Sequence, residues 1–163
     1  MAFALLGLSV LEALLLGLAV WSGLQWATGG VGAGGNHLLH GFAGASAVCF
    51  VHCLAIFYFV GTGKDLKEGT EEIGPLHEEA RKRVRGAAAR VHPLATFAIL
   101  LTLWAAISGA MAYAGSLPPW AHFLSVLVAL FLNAVAIPVE FNAMRQNVAF
   151  IRRVDELLRE IHH

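Results

Sequence analysis

The chain has 163 residues, 58% of them hydrophobic and 13% charged, and its eleven Lys and Arg balance eleven Asp and Glu to a formal net charge of zero. The charges are unevenly placed: residues 1–63 hold none but Glu12, and residues 91–139 hold none at all. A water-soluble fold is excluded, because those stretches would leave it no polar surface, and a neutral chain of this kind excludes nucleic-acid binding.

Four apolar stretches are long enough for a transmembrane helix, which needs about 20 residues. The first covers residues 2–27; it lacks a basic leader segment and carries Glu12 near its centre, which argues for a span rather than a cleaved signal peptide. A short, uncharged, Gly-rich connection, residues 28–36, leads to the second span at 38–60. A polar connector follows at 61–91, in which Glu78 and Glu79 stand three or four residues before Arg81, Lys82 and Arg83 and so favour a short solvated helix. The third span is predicted at 93–114, with Pro93 suited to its first turn and His92 just before it. Pro118-Pro119 stop that helix and start the fourth, predicted at 120–140, and residues 141–163 form a polar tail continuing it.

Every Lys and Arg lies in the 61–91 connector or after Glu140, so the positive-inside rule puts both termini and that connector in the cytoplasm. The expectation is a single-domain, all-α, integral membrane up-down four-helix bundle in a bacterial inner membrane, with the lipid bilayer as its first partner.

Ionisable groups inside a membrane are expensive and are by default candidates for function. Counting depth at about 1.5 Å per residue gives two polar layers. His37, His40 and His122 lie near the outer face, and Glu12, His52, His92 and Glu140 in the inner half. Membrane b-type haem is held by two His from different helices. His40 with His122 forms the expected outer pair, with His37 as substitute for His40, and His52 with His92 forms an inner pair. One or two haems b are therefore expected. His37 and His52, fifteen residues apart, differ by about 60° around an ideal helix, which suits two stacked haems.

A non-haem ion is the alternative. Glu12, His52, His92 and Glu140, one from each helix, could hold Fe or another metal, and Cys49, His52 and Cys53 within about one turn offer the thiolate and imidazole that suit Cu or Zn. Glu12 and Glu140 could also serve a proton path to a quinone or a neighbouring subunit. A third expectation is a cofactor-free accessory subunit of a larger membrane complex or a homo-oligomer. No nucleotide-binding or hydrolase motif occurs, and the sequence establishes no enzymatic reaction.

The segments Phe57-Tyr58-Phe59-Val60-Gly61-Thr62-Gly63-Lys64 and Pro138-Val139-Glu140-Phe141, with Arg145 and Asn147, resemble small four-span bacterial membrane proteins of unassigned function. The His layout is similar to the membrane anchor subunits of succinate dehydrogenases and fumarate reductases and to four-helix b-type cytochromes. That resemblance implies haem held by His from facing helices, with quinone bound beside it. Here neither the third nor the fourth helix carries two His, so a two-haem arrangement would draw on three helices.

Overall fold

The computed structural model describes residues 2–29 and 33–162; Gly30, Val31 and Gly32 of the predicted Gly-rich turn, and His163, lie outside them. Four helices follow one another: α1 Ala2–Ala27, α2 Ala33–Gly69, α3 Gly74–Tyr113 and α4 Pro119–His162. No strand occurs among the described residues. All four helices are long and apolar enough to cross a membrane, and the chain is an integral membrane protein.

The turns follow from local chemistry. Gly29 ends the first helix with φ +81° and Gly115 the third with φ +73°, a left-handed conformation that a side chain would strain. After Gly115 the amides of Ser116 and Leu117 donate to the Met111 carbonyl, and Pro119 opens α4. α1 packs mainly on α2, α2 on α3 and α3 on α4; among neighbours around the ring α1 and α4 touch least, so the ring has one loose seam.

The packing is that of a membrane bundle. Buried positions along α3 are Ala87, Val91, Ala95, Ala98, Thr102, Ala105 and Ser108, spaced three and four apart along one stripe. On α4 the buried stripe runs Ala129, Asn133, Ala136, Glu140, Ala143. Many bulky side chains point outward, Phe42 at 74% and Phe131 at 71% exposure among them, and lipid is their solvent, while Tyr58, Phe59 and Phe150 are buried. Small residues inside let backbones approach; Gly44 shows how closely, since a Cβ there would stand 3.6 Å from the Leu15 backbone on α1.

The structure replaces the predicted 61–91 connector with helix. α2 runs on to Gly69, and after the short turn 70–73 α3 begins at Gly74 and passes through Pro93 without a break. Pro75 at its start and the run Ala87-Ala88-Ala89 favour helix throughout, and a Pro inside a bundle helix is tolerated. The charged segments are not merely solvated: Leu66, Leu76, Ala80, Phe150 and Val154 bury against one another in a second core, with Ile73 and Val84 packed on it. α2, α3 and α4 thus continue as a three-helix extension at the end that carries every Lys and Arg.

Gly63 joins the extension to the membrane part, since a Cβ there would stand 2.7 Å from Val84 Cγ1. Gly63→Leu is expected to lower stability by about 1–3 kcal/mol through overpacking. Gly61→Ala, with open space around it, is expected to be neutral or to stabilise by about 0.5–1 kcal/mol. Thermal unfolding in detergent compares the two.

Candidate functional site

The polar side chains of the membrane interior fall into two layers that differ in kind. The inner layer is a hydrogen-bonded knot around His52. That residue is 0% exposed, and its Nδ1 lies 2.7 Å from Oε1 of Glu140 while its Nε2 lies 2.9 Å from Oδ1 of Asn133. Asn133 in turn donates from Nδ2 to the Ala129 carbonyl at 2.8 Å and to Thr102 Oγ1 at 3.1 Å. A carbonyl only accepts, so Nδ2 must face Ala129, Oδ1 must face the imidazole, and His52 Nε2 must carry a proton. Glu12, also 0% exposed, brings Oε1 to 3.8 Å from that nitrogen, and neither of its oxygens has a hydrogen-bond partner among the described residues. The knot joins α1, α2, α3 and α4. Toward the charged end a second polar contact ties α4 to α2, where Asn147 donates to Thr62 Oγ1 at 2.9 Å and to the Tyr58 hydroxyl at 3.2 Å.

The outer layer surrounds a cavity of ≈ 280 Å³, near the low end for ligand-binding clefts, to which all four helices contribute. Its walls are largely apolar and include the small residues Gly41, Ala45, Ala106, Gly109 and Ala110, and Thr102 and Asn133 close the side nearest the knot. His37 and His122 face each other across it, ring centroids 5.9 Å apart and ring planes at 61°. Trp26 stacks on His37 and contacts Tyr113 at the uncharged end.

The two imidazoles are oriented alike by different neighbours. His37 Nδ1 is 3.0 Å from the Ala19 carbonyl of α1, which can only accept, so Nδ1 donates. His122 Nδ1 is 3.2 Å from Ser108 Oγ of α3, whose own proton goes to the Ala105 carbonyl at 2.9 Å, so there too Nδ1 donates. Neither Nε2 makes a hydrogen bond among the described residues, and in the neutral ring each keeps its lone pair. Ring positions are fixed from behind by glycine: a Cβ on Gly23 would stand 2.9 Å from His37 Cε1, and one on Gly109 would stand 2.9 Å from His122 Cε1.

The other predicted site residues are placed as follows. His40 does not line the cavity; its Nδ1 is buried without a partner, and His37 occupies the place opposite His122. His52 and His92 do not form an open inner pair, because both ring nitrogens of His52 are engaged, and His92 makes no hydrogen bond or ion pair with the knot, its Nε2 being buried without a partner. Glu12, His52 and Glu140 come together, but among the described residues no three His, Cys, Asp or Glu side chains converge to hold a metal ion. Cys49 and Cys53 are free, half-buried thiols. Asn133, Thr102, Ser108, Gly23 and Gly109 were not singled out by the sequence. Asn133 had a readable signal, an amide at mid-span in hydrocarbon, whereas the glycines had none without knowledge of what faces them.

Comparison with protein-family models, with curated proteins and with solved structures finds no match for this chain.

Removing His52 while its partners remain buried should be costly. His52→Leu is expected to destabilise by about 3–5 kcal/mol, since it leaves the Glu140 carboxyl and the Asn133 Oδ1 without their partner in a low-dielectric interior. The double variant His52→Leu/Glu140→Leu is expected to recover a large part of that loss, a non-additivity that thermal unfolding of the single and double variants would measure.

Proposed function

We propose that the protein is a membrane haem b protein of the electron-transfer class, with His37 and His122 as the two residues that would hold one haem. One observation carries this: the two imidazoles face each other across one apolar cavity, each engaged through Nδ1 by a group on a neighbouring helix and each with Nε2 free of any hydrogen bond among the described residues. Ligating imidazoles are held in this way, with the outward N–H donated to a carbonyl or similar acceptor that fixes tautomer and direction. The ring centroids stand 5.9 Å apart on opposite sides of one space. Small residues along the cavity wall favour a flat macrocycle. When bound, such a group supplies one-electron oxidation and reduction of iron. The chain's own contribution is to hold and orient the ligands, exclude water and supply an apolar wall.

His37 takes the place first expected of His40, and a second haem on His52 and His92 has no support in the geometry around His52. The grouping of all Lys and Arg at one end supports a cytoplasmic location for that end, in a bacterial inner membrane. The exposed apolar faces suit lipid or further membrane subunits of a larger redox complex, and an apolar cavity walled by Trp26 and Tyr113 would suit a quinone in the absence of haem.

Absorption spectra of the purified protein, oxidised and then reduced with dithionite, test the proposal. A Soret peak with sharp reduced α-bands is expected, lost in His37→Ala and in His122→Ala but kept in His40→Ala and His92→Ala. Gly109→Val, which pushes the His122 ring aside, is expected to reduce haem content several-fold. A colourless protein with stoichiometric metal would sink the haem assignment in favour of a non-haem ion, and one with neither would favour an accessory subunit.

A further inference from the structure

We infer that Glu12, His52 and Glu140 form a buried proton-exchange site whose occupancy is linked to the charge held in the cavity between His37 and His122. The redox half of this linkage rests on the proposed haem; the proton site stands on the geometry of the knot alone.

Asn133 fixes one proton on His52 Nε2, and the 2.7 Å contact holds one more between Nδ1 and Glu140 Oε1. Wherever along that bond the second proton lies, His52 and Glu140 together carry no net charge. Glu12 differs. It is fully buried, it has no hydrogen-bond partner at either oxygen, and its Oε1 is 3.8 Å from Nε2. It is the one member whose proton count no neighbour dictates, so gain or loss of a proton there changes the charge of the bundle interior by one unit.

Access and coupling lie on opposite sides of the knot. A void of ≈ 10 Å³, about the room one water needs, touches Glu140 and Ser9 at the loose seam between α1 and α4. Leu5 and Met144, which also border it, lie on the side of the charged end. Delivery of a proton to Glu12 from that side leaves the His52–Glu140 pair at its starting proton count, with Nε2 still protonated toward Asn133 and Glu12 one proton richer. On the other side Asn133 and Thr102 belong both to the knot and to the cavity wall. Positive charge in the cavity therefore opposes a proton on Glu12, and its removal by one electron from a reductant favours uptake of one proton. The titratable groups near Glu12 are His52 of α2 and Glu140 of α4, while α3 reaches the knot through the Thr102 hydroxyl on Asn133.

Two measurements on the full chain test this. In pH-difference infrared spectra, wild type is expected to show a carboxylic-acid carbonyl band on the high-frequency side of the solvent-exposed acids. It should vanish in Glu12→Gln, return shifted in Glu12→Asp and persist in Glu68→Gln, whose glutamate is exposed. In the haem-loaded protein the midpoint potential is expected to fall as pH rises, by up to about 59 mV per pH unit, the equivalent of a tenfold change for one electron, and to lose that dependence in Glu12→Gln. A band unchanged in Glu12→Gln would overturn the proton site. A band lost with the potential's pH dependence intact would overturn the linkage. Absence of haem from the protein would overturn the cofactor and the linkage together, leaving the infrared band to decide the proton site by itself.

Discussion

His52 sits in hydrocarbon with each ring nitrogen engaged by a different side chain of α4, and the arrangement of the helices depends on that requirement. Lipid tails are as apolar as Leu or Ala, so hydrophobicity alone does not tell a transmembrane helix which face to turn inward. An unsatisfied imidazole, amide or carboxyl does, because leaving it in lipid costs several kcal/mol. His52, Asn133, Glu140 and Thr102 can satisfy one another only at one relative rotation of α2, α3 and α4. The alanine stripes of α3 and α4 then fall inward and the Phe and Leu side chains outward.

Against that closed knot the outer layer is open by design of its hydrogen bonds. The Ala19 carbonyl and the Ser108 hydroxyl each take one imidazole N–H and leave the other nitrogen without a hydrogen bond among the described residues, on two rings that line an apolar space. The two layers meet at Asn133 and Thr102, which serve as wall for one and partner for the other. A bundle with only the inner layer would be a scaffold, and one with only the outer layer would lack a defined helix rotation to hold its ligands in place.

Much of this was legible in the residues. Composition and the placement of charge give four helices and a membrane, and Glu12, His52 and Glu140 stand out as polar groups in apolar runs. Depth along a helix can be counted, and it separates the two layers. Rotation about the helix axis cannot be counted without partners, which is why His40 is preferred to His37 from the sequence and why His52 looks open to His92. Asn133 escaped notice because it does not titrate, although its amide faces the same desolvation cost as the imidazole it holds. The charged stretch 61–91 looked like a solvated connector because its charges are conspicuous; the apolar positions Leu66, Ile73, Leu76, Ala80 and Val84 repeat at helical spacing among them and bury against α4. Pro93 was read as a start because proline usually is one in water, whereas within a bundle its missing hydrogen bond is tolerated.

The way His37 and His122 are held also divides the chain into two units of assembly. His37 on α2 is oriented by α1, through Ala19 and Gly23, and His122 on α4 is oriented by α3, through Ser108 and Gly109. Each imidazole is therefore set by the other arm of its own hairpin, and each hairpin enters the membrane with its side of the cavity already shaped. Only the docking of one hairpin on the other remains, and that single event creates the space between the rings at the moment it seals the bundle.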